Sequence, residues 1–352
     1  MAPRVCVFGG DGAAPEAVEP TVRLLERIDV DIEITSPSVE QHETALAAGT
    51  LPPELRKAID TAEAVLFGAT DGGHAGVFQY LRHEYGGGLP ANVRPVQYLD
   101  GATSPLSDPG GIDYTIVREN IEGVYFRAEG ELETLTDSEL DLTGATLDVD
   151  GLGPGGYGLR VMSERNARWL SEFACELAAE RSADPLVTCG TKSNVLPETD
   201  GLLESAVEEA ADRYDVSYEH LHADDLGQRL VRDPHRFDVI VTPNIVGGVL
   251  SEVAAGTIGG IGLAPSGCYG AETAYFEPVH GTAPDIAGEE VINPTGTVLS
   301  AVLLLRYVGQ EAAATRLKQA VESVYADGAP LTPDQGGTAS TGRMVDAIER
   351  RF

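Results

Sequence analysis

Two patterns of apolar and polar residues alternate along this chain. Short runs with apolar residues at every second position are typical of β-strands, and longer runs with apolar residues every three or four positions are typical of helices. The patterns predict strands at residues 4–9, 64–67, 114–117 and 186–189, and helices at residues 15–28, 53–62, 164–181, 201–214, 298–307 and 312–325. Such alternation predicts an α/β fold with a mostly parallel sheet.

One stretch, residues 235–255, contains both patterns in succession. Residues 237–241 predict a buried strand that ends in a loop at Thr242-Pro243-Asn244, and a helix is predicted from Gly247 onward. On that helix, Gly248 and Glu252 share one face because they are four residues apart. Two acids at these positions would suit a divalent metal, but only one acid is present.

The composition favours a large, acidic, folded protein. The 352 residues, 42% of them hydrophobic, suffice for about two domains and exclude a disordered chain. The 56 acids outweigh the 24 bases, which gives a formal charge of −32 and makes nucleic acid an unexpected partner. Only three of the bases are lysines, so we expect a halophilic protein; the alternative is an ordinary acidic enzyme.

The four cysteines are scattered, without the spacing of a disulfide framework or a zinc site, which fits a reducing cytoplasm. The N-terminus enters a strand directly, and no apolar run approaches the length of a membrane span. We therefore expect a cytoplasmic protein that does not contact a membrane.

Two glycine-rich motifs carry little functional information by themselves. Residues 151–156 formally satisfy GxGxxG, but Pro154 lies inside the motif and no helix follows directly, so a Rossmann site is not favoured. The run Gly10-Asp11-Gly12 is typical of a tight turn. Residues 127–160, with a short strand-like run at 145–149, predict either an arm that reaches across an oligomer or a surface excursion.

Three other runs indicate chemistry. Residues 117–125, VRENIEGVY, end a strand with an arginine suited to bind a carboxylate and a tyrosine suited to deliver a proton; the alternative is a salt-bridged strand end. Residues 189–196 retain Lys192 in a chain with almost no lysine. Residues 277–288, EPVHGTAPDIAG, have the Gly and Pro density of a loop fixed against a ligand or a neighbouring element.

Together with GDGAAPE, ANVRP, TKSNVL and the strand before Asn244, these runs resemble the isocitrate and isopropylmalate dehydrogenase family over nearly the whole chain. The family comprises metal-dependent decarboxylating dehydrogenases of 2-hydroxy acids. Residues 191–194 and 234–241 are more similar to the tartrate and D-malate branch. The resemblance implies NAD-dependent oxidative decarboxylation of a malate-type 2-hydroxy acid, in the class of D-malate, tartrate or 3-isopropylmalate.

The resemblance also implies roles for individual residues. Arg94 and Arg118 would bind the substrate carboxylate, and Arg82 lies in the segment that lines the substrate pocket. Lys192, with Asp224 beside it, would act as the base, and Tyr125 would protonate the carbanion left after CO₂ departs. Mg²⁺ or Mn²⁺ would be held by Asp224 and Glu252 with substrate oxygens.

The cofactor implied by the resemblance is NAD. Asp285 would accept hydrogen bonds from the ribose hydroxyls, and its charge would repel the 2′-phosphate of NADP. The other residues implied to bind the cofactor are His280, Gly281, Thr282, Ala283, Ile286 and Asn293.

Three departures from the family pattern leave an alternative open. Gly248 stands where the family has an aspartate, and Glu252 where it has a second one. A further family arginine, about ten residues after ANVRP, finds only Gly101-Ala102-Thr103-Ser104, and the segment from Arg82 to Arg94 is lengthened by glycines. The alternative is an impaired or inactive paralogue that binds nucleotide or a partner subunit.

The fold implied by the resemblance is the two-domain isopropylmalate-dehydrogenase type, not a Rossmann fold. The cofactor domain would combine residues 1–102 with 256–352, around a central substrate and dimerisation domain at 103–255. Because the family supplies its catalytic lysine from the neighbouring subunit, we expect a homodimer or a higher even oligomer.

Overall fold

The computed structural model describes residues 2–136 and 150–352. The strands in these residues are β1 Arg4–Phe8, β2 Glu33–Thr35, β3 Ala64–Phe67, β4 Ala91–Gln97, β5 Asp113–Glu119, β6 Glu129–Glu131, β7 Gly156–Gly158, β8 Leu186–Thr191, β9 Ser217–His222, β10 Val239–Thr242, β11 Pro265–Tyr269 and β12 Ala274–Pro278. The α-helices are α1 Ala14–Arg27, α2 Glu43–Ala47, α3 Pro53–Asp60, α4 Ala75–His83, α5 Glu133–Thr136, α6 Glu164–Arg181, α7 Asp200–Tyr214, α8 Ala223–Arg232, α9 Asn244–Thr257, α10 Thr295–Tyr307, α11 Glu311–Ala326 and α12 Thr341–Glu349.

A single large sheet organises the molecule, with strand order β2-β1-β3-β12-β11-β4-β5-β10-β8-β9. The pairings at both ends are parallel, from β2 to β12 and from β5 to β9. The three pairings in the middle, β12 with β11, β11 with β4 and β4 with β5, are antiparallel. The α/β class with a mostly parallel sheet is confirmed, and the antiparallel middle distinguishes it from a Rossmann sheet.

The predicted two-domain division stays a prediction, and the hydrophobic clusters follow it closely. The cluster between α1, α10, α11 and α12 and the cluster around β1, β3 and α4 contain only residues from 1–102 and 256–352. The clusters under α6 to α9 contain residues of 103–255 together with Ala91, Val96 and Ile258. Ala91 and Val96 lie on β4, which pairs with a strand of each half.

The regular elements match the sequence pattern best where the apolar period is long. Helix α6 has the predicted bounds, and its N-cap Ser163 accepts a hydrogen bond from the backbone N–H of Asn166. Helix α9 begins at Asn244 rather than at Gly247, because Pro243 takes the N-cap position. The prediction that Asn244 lies in a loop was therefore wrong.

The segment at 127–160 contains β6 and β7, which form a two-stranded antiparallel sheet, and the short helix α5. The strand predicted at 145–149 lies outside the described residues. The GxGxxG run at 151–156 is exposed, and it leads into β7 rather than into a helix, so it lacks the strand-turn-helix context of a dinucleotide site. In the parts of the chain that are described, no helix is long and apolar enough to cross a membrane.

Candidate active site

Three arginines meet at one face of the sheet. The Tyr125 ring lies between two guanidinium groups, with Arg118 Cζ 5.2 Å and Arg82 Cζ 5.5 Å from the ring centroid. Arg94, on β4, is close enough to Arg118 to lower its own pKa, in addition to the larger lowering that burial causes. The structure therefore brings Arg82, Arg94, Arg118 and Tyr125 together, and their assignment to a substrate pocket stays a prediction.

Arg118 is held in place by the first turn of α9. Its Nε donates to the backbone oxygen of Asn244 (2.8 Å), and its Nη2 donates to the Asn244 side-chain oxygen (2.7 Å). A Cβ at Gly247 would lie 2.7 Å from Arg118 Cγ, so only glycine lets the helix approach this closely. These bonds fix the plane of the guanidinium group, and Arg118 is only 5% exposed.

The carboxylates of the VRENIEGVY run serve the fold. Glu119 Oε1 accepts hydrogen bonds from the backbone N–H groups of Ile121 and Glu122 and from the amide of Asn166. Glu122 accepts from the backbone N–H and the hydroxyl of Ser163, at the start of α6. Both acids therefore shape the turn that presents Tyr125, and Arg118 and Tyr125 remain the candidates for a chemical role in this run.

Glu277, in β12, is an acid of this site for which the motifs predicted no role. It lies near Arg82, Arg94 and Arg118, and its Oε1 accepts a hydrogen bond from the Tyr275 hydroxyl (3.3 Å). Burial raises the pKa of Glu277, and the three guanidinium groups oppose that rise. Glu277 thus balances part of the positive charge, and its only signal in the sequence was its place at the start of EPVHG.

Lys192 and Asp224 form the predicted pair. Lys192 Nζ lies 2.5 Å from Asp224 Oδ1, and this hydrogen bond lowers the pKa of Asp224. The backbone N–H of Lys192 donates to Asp200 (2.6 Å), a fully buried acid that is also paired with Arg160. In the described residues, no hydrogen bond or ion pair joins the Lys192–Asp224 pair to the three arginines.

The predicted metal ligands do not form a complete set within one chain. Glu252 is half exposed, and its nearest ion-pair contact is Arg94, at 3.7 Å. Asp224 is engaged by Lys192. Among the residues that the structure describes, no three His, Cys, Asp or Glu side chains are grouped so as to hold a metal ion. Because Mg²⁺ keeps several waters and often needs only one or two protein carboxylates, the assignment of Asp224 and Glu252 to a metal stays a prediction.

Residues 101–104, where a family arginine is missing, pack against other parts of the chain and not against the three arginines. Ala102 belongs to the cluster under α10 and α11, and the backbone N–H of Thr103 donates to the Gln335 side chain (3.0 Å). The second guanidinium beside Tyr125, after that of Arg118, comes from Arg82, at the end of α4. The glycines that follow Arg82 form a short 3-10 turn before β4.

The predicted cofactor residues occupy the loop after β12. His280 is 6% exposed, its Nδ1 lies 2.9 Å from the Gly281 carbonyl oxygen, and its Nε2 is buried without a partner. Because the carbonyl requires a proton on Nδ1, the open Nε2 is an acceptor. Burial also lowers the pKa of His280, which favours this neutral form.

The remaining residues of this loop differ in how free they are. Asp285 and Gly281 are exposed, Ala283 and Ile286 are half-buried, and Ala283 has a left-handed backbone with φ of 42°. Thr282 and Asn293 are buried, and Asn293 donates to the Tyr325 hydroxyl (3.2 Å) and to Asp334 (2.9 Å). Both polar atoms of the Asn293 side chain are thus used within the chain, so a cofactor would contact the backbone of Asn293 rather than its side chain.

A cavity of about 510 Å³ lies away from this site, on the opposite face of the sheet. Val93 and Pro95 of β4 line it, whereas Asn92 and Arg94 point to the arginine face, as the strand period of two requires. Its other walls are α6 and α10. We place the chemistry at the arginine face because the titratable groups converge there.

The sequence model of the family described as isocitrate/isopropylmalate dehydrogenase matches residues 4–348. The chain is 39% identical to the 3-isopropylmalate/3-methylmalate dehydrogenase of Methanocaldococcus jannaschii, over 99% of this chain and 98% of that protein. It is 32% identical to the alpha subunit of the mitochondrial NAD isocitrate dehydrogenase of Sus scrofa, over 99% and 90% of the two chains. The crystal structure of isocitrate dehydrogenase from Methylococcus capsulatus has a TM-score of 0.82 at 30% identity, with 99% of both chains covered.

Proposed function

Because the chain belongs to the isocitrate/isopropylmalate dehydrogenase family, we propose that it is an NAD-dependent dehydrogenase that oxidatively decarboxylates a malate-type 2-hydroxy acid. The observation that carries this proposal is the Tyr125 ring between the guanidinium groups of Arg82 and Arg118. Guanidinium groups suit the carboxylates of the substrate, and a phenol beside them suits proton delivery to the carbanion left after decarboxylation.

The proposed reaction needs a base near the C2 hydroxyl, and Lys192 takes that role in the proposal. An amine acts as a base only when it is unprotonated, so Lys192 has to be shielded from water when the site is complete. In the isolated chain Lys192 is one-third exposed and paired with Asp224. The site is therefore incomplete in one chain, and a second copy has to supply this pair.

A homodimer is supported by an apolar stripe on α9. Ile245, Val249 and Val253 recur every four residues and are 42%, 59% and 38% exposed. A stripe of this kind, next to Glu252, suits burial against a second copy.

We expect sedimentation to show a dimer or a higher even oligomer, and we expect Val249→Lys to shift the population toward monomers, because a charge on the stripe opposes its burial. A monomeric wild-type protein would contradict the proposal.

The substrate is tested by one screen in molar KCl, a medium chosen for the acidic surface, with Mn²⁺ and NAD present. D-malate, tartrate, 3-isopropylmalate and isocitrate are offered separately, and NADH formation is followed by absorbance. We expect turnover of at least one of the first three acids, in preference to isocitrate. If a folded dimer forms no NADH with any of the four acids, the result would favour the inactive paralogue, which the glycine at position 248 in place of an aspartate already suggests.

NAD preference over NADP is expected from Asp285, which is exposed on the 3-10 turn Pro284–Ile286. A carboxylate accepts hydrogen bonds from ribose hydroxyls and repels a 2′-phosphate. We expect kcat/KM with NAD to exceed kcat/KM with NADP by about tenfold or more, and we expect Asp285→Ser to lower this NAD/NADP ratio. Equal rates with both dinucleotides in the wild type would remove this role from Asp285.

A further inference from the structure

The turn Gly10-Asp11-Gly12, between β1 and α1, lies between two loops of the sheet edge. The backbone N–H of Asp11 donates to Ala69 in the loop after β3 (2.8 Å), and the backbone N–H of Ala13 donates to Thr282 in the loop after β12 (2.7 Å). Cβ atoms at Gly10 and Gly12 would lie 2.4 Å and 2.5 Å from the carbonyl oxygens of Ala69 and Thr282. The two glycines therefore permit contacts that no other residue type permits.

The Asp11 side chain fastens the loop 70–74. Its carboxylate accepts hydrogen bonds from the Thr70 hydroxyl and from the backbone N–H groups of Asp71 and His74, both at 3.3 Å. His74 Nδ1 lies 2.6 Å from the other carboxylate oxygen. Every group that faces Asp11 in this cluster is thus a donor, and an acceptor-only carboxylate matches all of them.

The charge of Asp11 is maintained in this setting. Burial by itself raises the pKa of Asp11, but the hydrogen bonds from Thr70 and His74 and the charge of His74 lower it overall. His74 is 12% exposed and Asp11 16% exposed, so the pair is largely shielded from water.

The fastened loop reaches the cofactor loop. The Thr282 hydroxyl lies 3.5 Å from the Asp71 carboxylate, and the Thr282 carbonyl accepts the N–H of Ala13. Thr282 belongs to the residues assigned to NAD. Three separate segments, 10–13, 70–74 and 280–286, are thereby held in one arrangement with Asp11 at the centre.

We propose that Asp11, with His74 as its hydrogen-bond partner, is a positioning residue for the dinucleotide: it fixes the loop 70–74 against the cofactor loop. This inference rests on the proposed function, in which NAD is the cofactor. It predicts that loosening the Asp11 cluster weakens dinucleotide binding and leaves binding of the hydroxy acid largely unchanged.

The test is Asp11→Asn, which keeps the shape and replaces one acceptor oxygen by a donor. We expect the dissociation constant for NAD, measured by calorimetry without substrate, and the KM for NAD to rise about tenfold, with a smaller change in kcat and in the KM for the acid. Gly73→Ala disturbs the contact between Asp11 and the loop 70–74 from the loop side, because its Cβ would lie 2.4 Å from Asp11 Oδ1. It should weaken NAD binding in the same direction.

Two controls separate positioning from general stability. Thr70→Ser keeps the hydroxyl that donates to Asp11, so this variant should bind NAD nearly as the wild type does. Thr70→Val removes the donor, so it should weaken NAD binding as Asp11→Asn does. Asp60→Asn removes another hydrogen-bonded carboxylate, whose described partners Tyr80 and Arg56 lie outside the segments 10–13, 70–74 and 280–286, and should leave NAD binding unchanged.

The outcomes are distinguishable. Asp11→Asn with unchanged NAD affinity, or an equal loss in Asp60→Asn, overturns the role of Asp11. A wild type that binds NAD without oxidising any acid refutes the proposed reaction, while the calorimetric comparison still decides about Asp11. A wild type that does not bind NAD refutes both.

Discussion

Arg118→Lys is expected to lower kcat/KM for the oxidised acid by about 10²- to 10³-fold. Arg118 directs two of its nitrogens to Asn244, at 2.8 Å and 2.7 Å, so the guanidinium plane is fixed before substrate binds. An ammonium has neither the planar fork nor the reach to hold Asn244 and a carboxylate together. The loss should appear in kcat as well as in KM, because a misplaced substrate is also poorly oriented for hydride transfer.

The matched control is Arg168→Lys on α6, where the arginine is exposed and paired with Glu164 one turn away. It should retain activity, since an exposed pair of this kind contributes little. Thermal unfolding of both variants shows whether Arg118→Lys merely destabilises the fold. A folded Arg118→Lys with more than a third of the wild-type kcat/KM would exclude Arg118 as a principal substrate ligand.

The fold was predictable from the sequence where periodicity was strong. Helix α6 has the predicted bounds because its apolar residues recur with the helical period over 18 residues, and β3 because its four apolar residues stand between Glu63 and Gly68. The antiparallel β4 and β11 in the middle of the sheet were not predicted. The strand Ala91–Gln97 carries an arginine and a proline, and its pairing with β11 is set by contacts far away in the chain.

The site was predictable as a set of residue types and not as a set of contacts. Motifs identified Arg82, Arg94, Arg118 and Tyr125, and the structure brings them together. The motifs did not reveal that Glu277 lies near these arginines, or that Asn244 orients Arg118. Such partners come from distant segments, and a buried acid beside a glycine-rich loop has no periodic signature.

The α9 surface illustrates the same limit. The spacing of Val249, Val253, Leu250 and Ala254 predicts one apolar face of the helix, but the structure buries Leu250 and Ala254 while it exposes Val249 and Val253. Sequence spacing defines which residues share a face, but not what covers that face. The exposed row is one reason to expect a second copy beside Glu252.

Gly248→Asp is expected to raise the affinity of the protein for Mn²⁺ by about tenfold or more. Residue 248 lies one turn before Glu252 on α9, and a Cβ there would be 3.4 Å from Arg118 Cζ and Nη2, an ordinary van der Waals distance. An aspartate therefore fits without a backbone shift. Without metal, the new carboxylate and Glu252 repel each other at a spacing of four residues, and a bound cation removes this repulsion.

The matched control is Gln319→Glu, on the exposed face of α11, which adds the same charge with no acid four residues away on either side. Calorimetric titration with Mn²⁺ and no substrate reads the affinity independently of turnover. Both variants add one negative charge, so a nonspecific attraction of the cation raises the affinity equally in both. Equal affinities, or an unchanged affinity in Gly248→Asp, would show that residue 248 is not beside the metal. A rise confined to Gly248→Asp would identify the missing carboxylate as the cause of an incomplete metal set, and any accompanying gain in kcat would favour a weakened enzyme over an inactive paralogue.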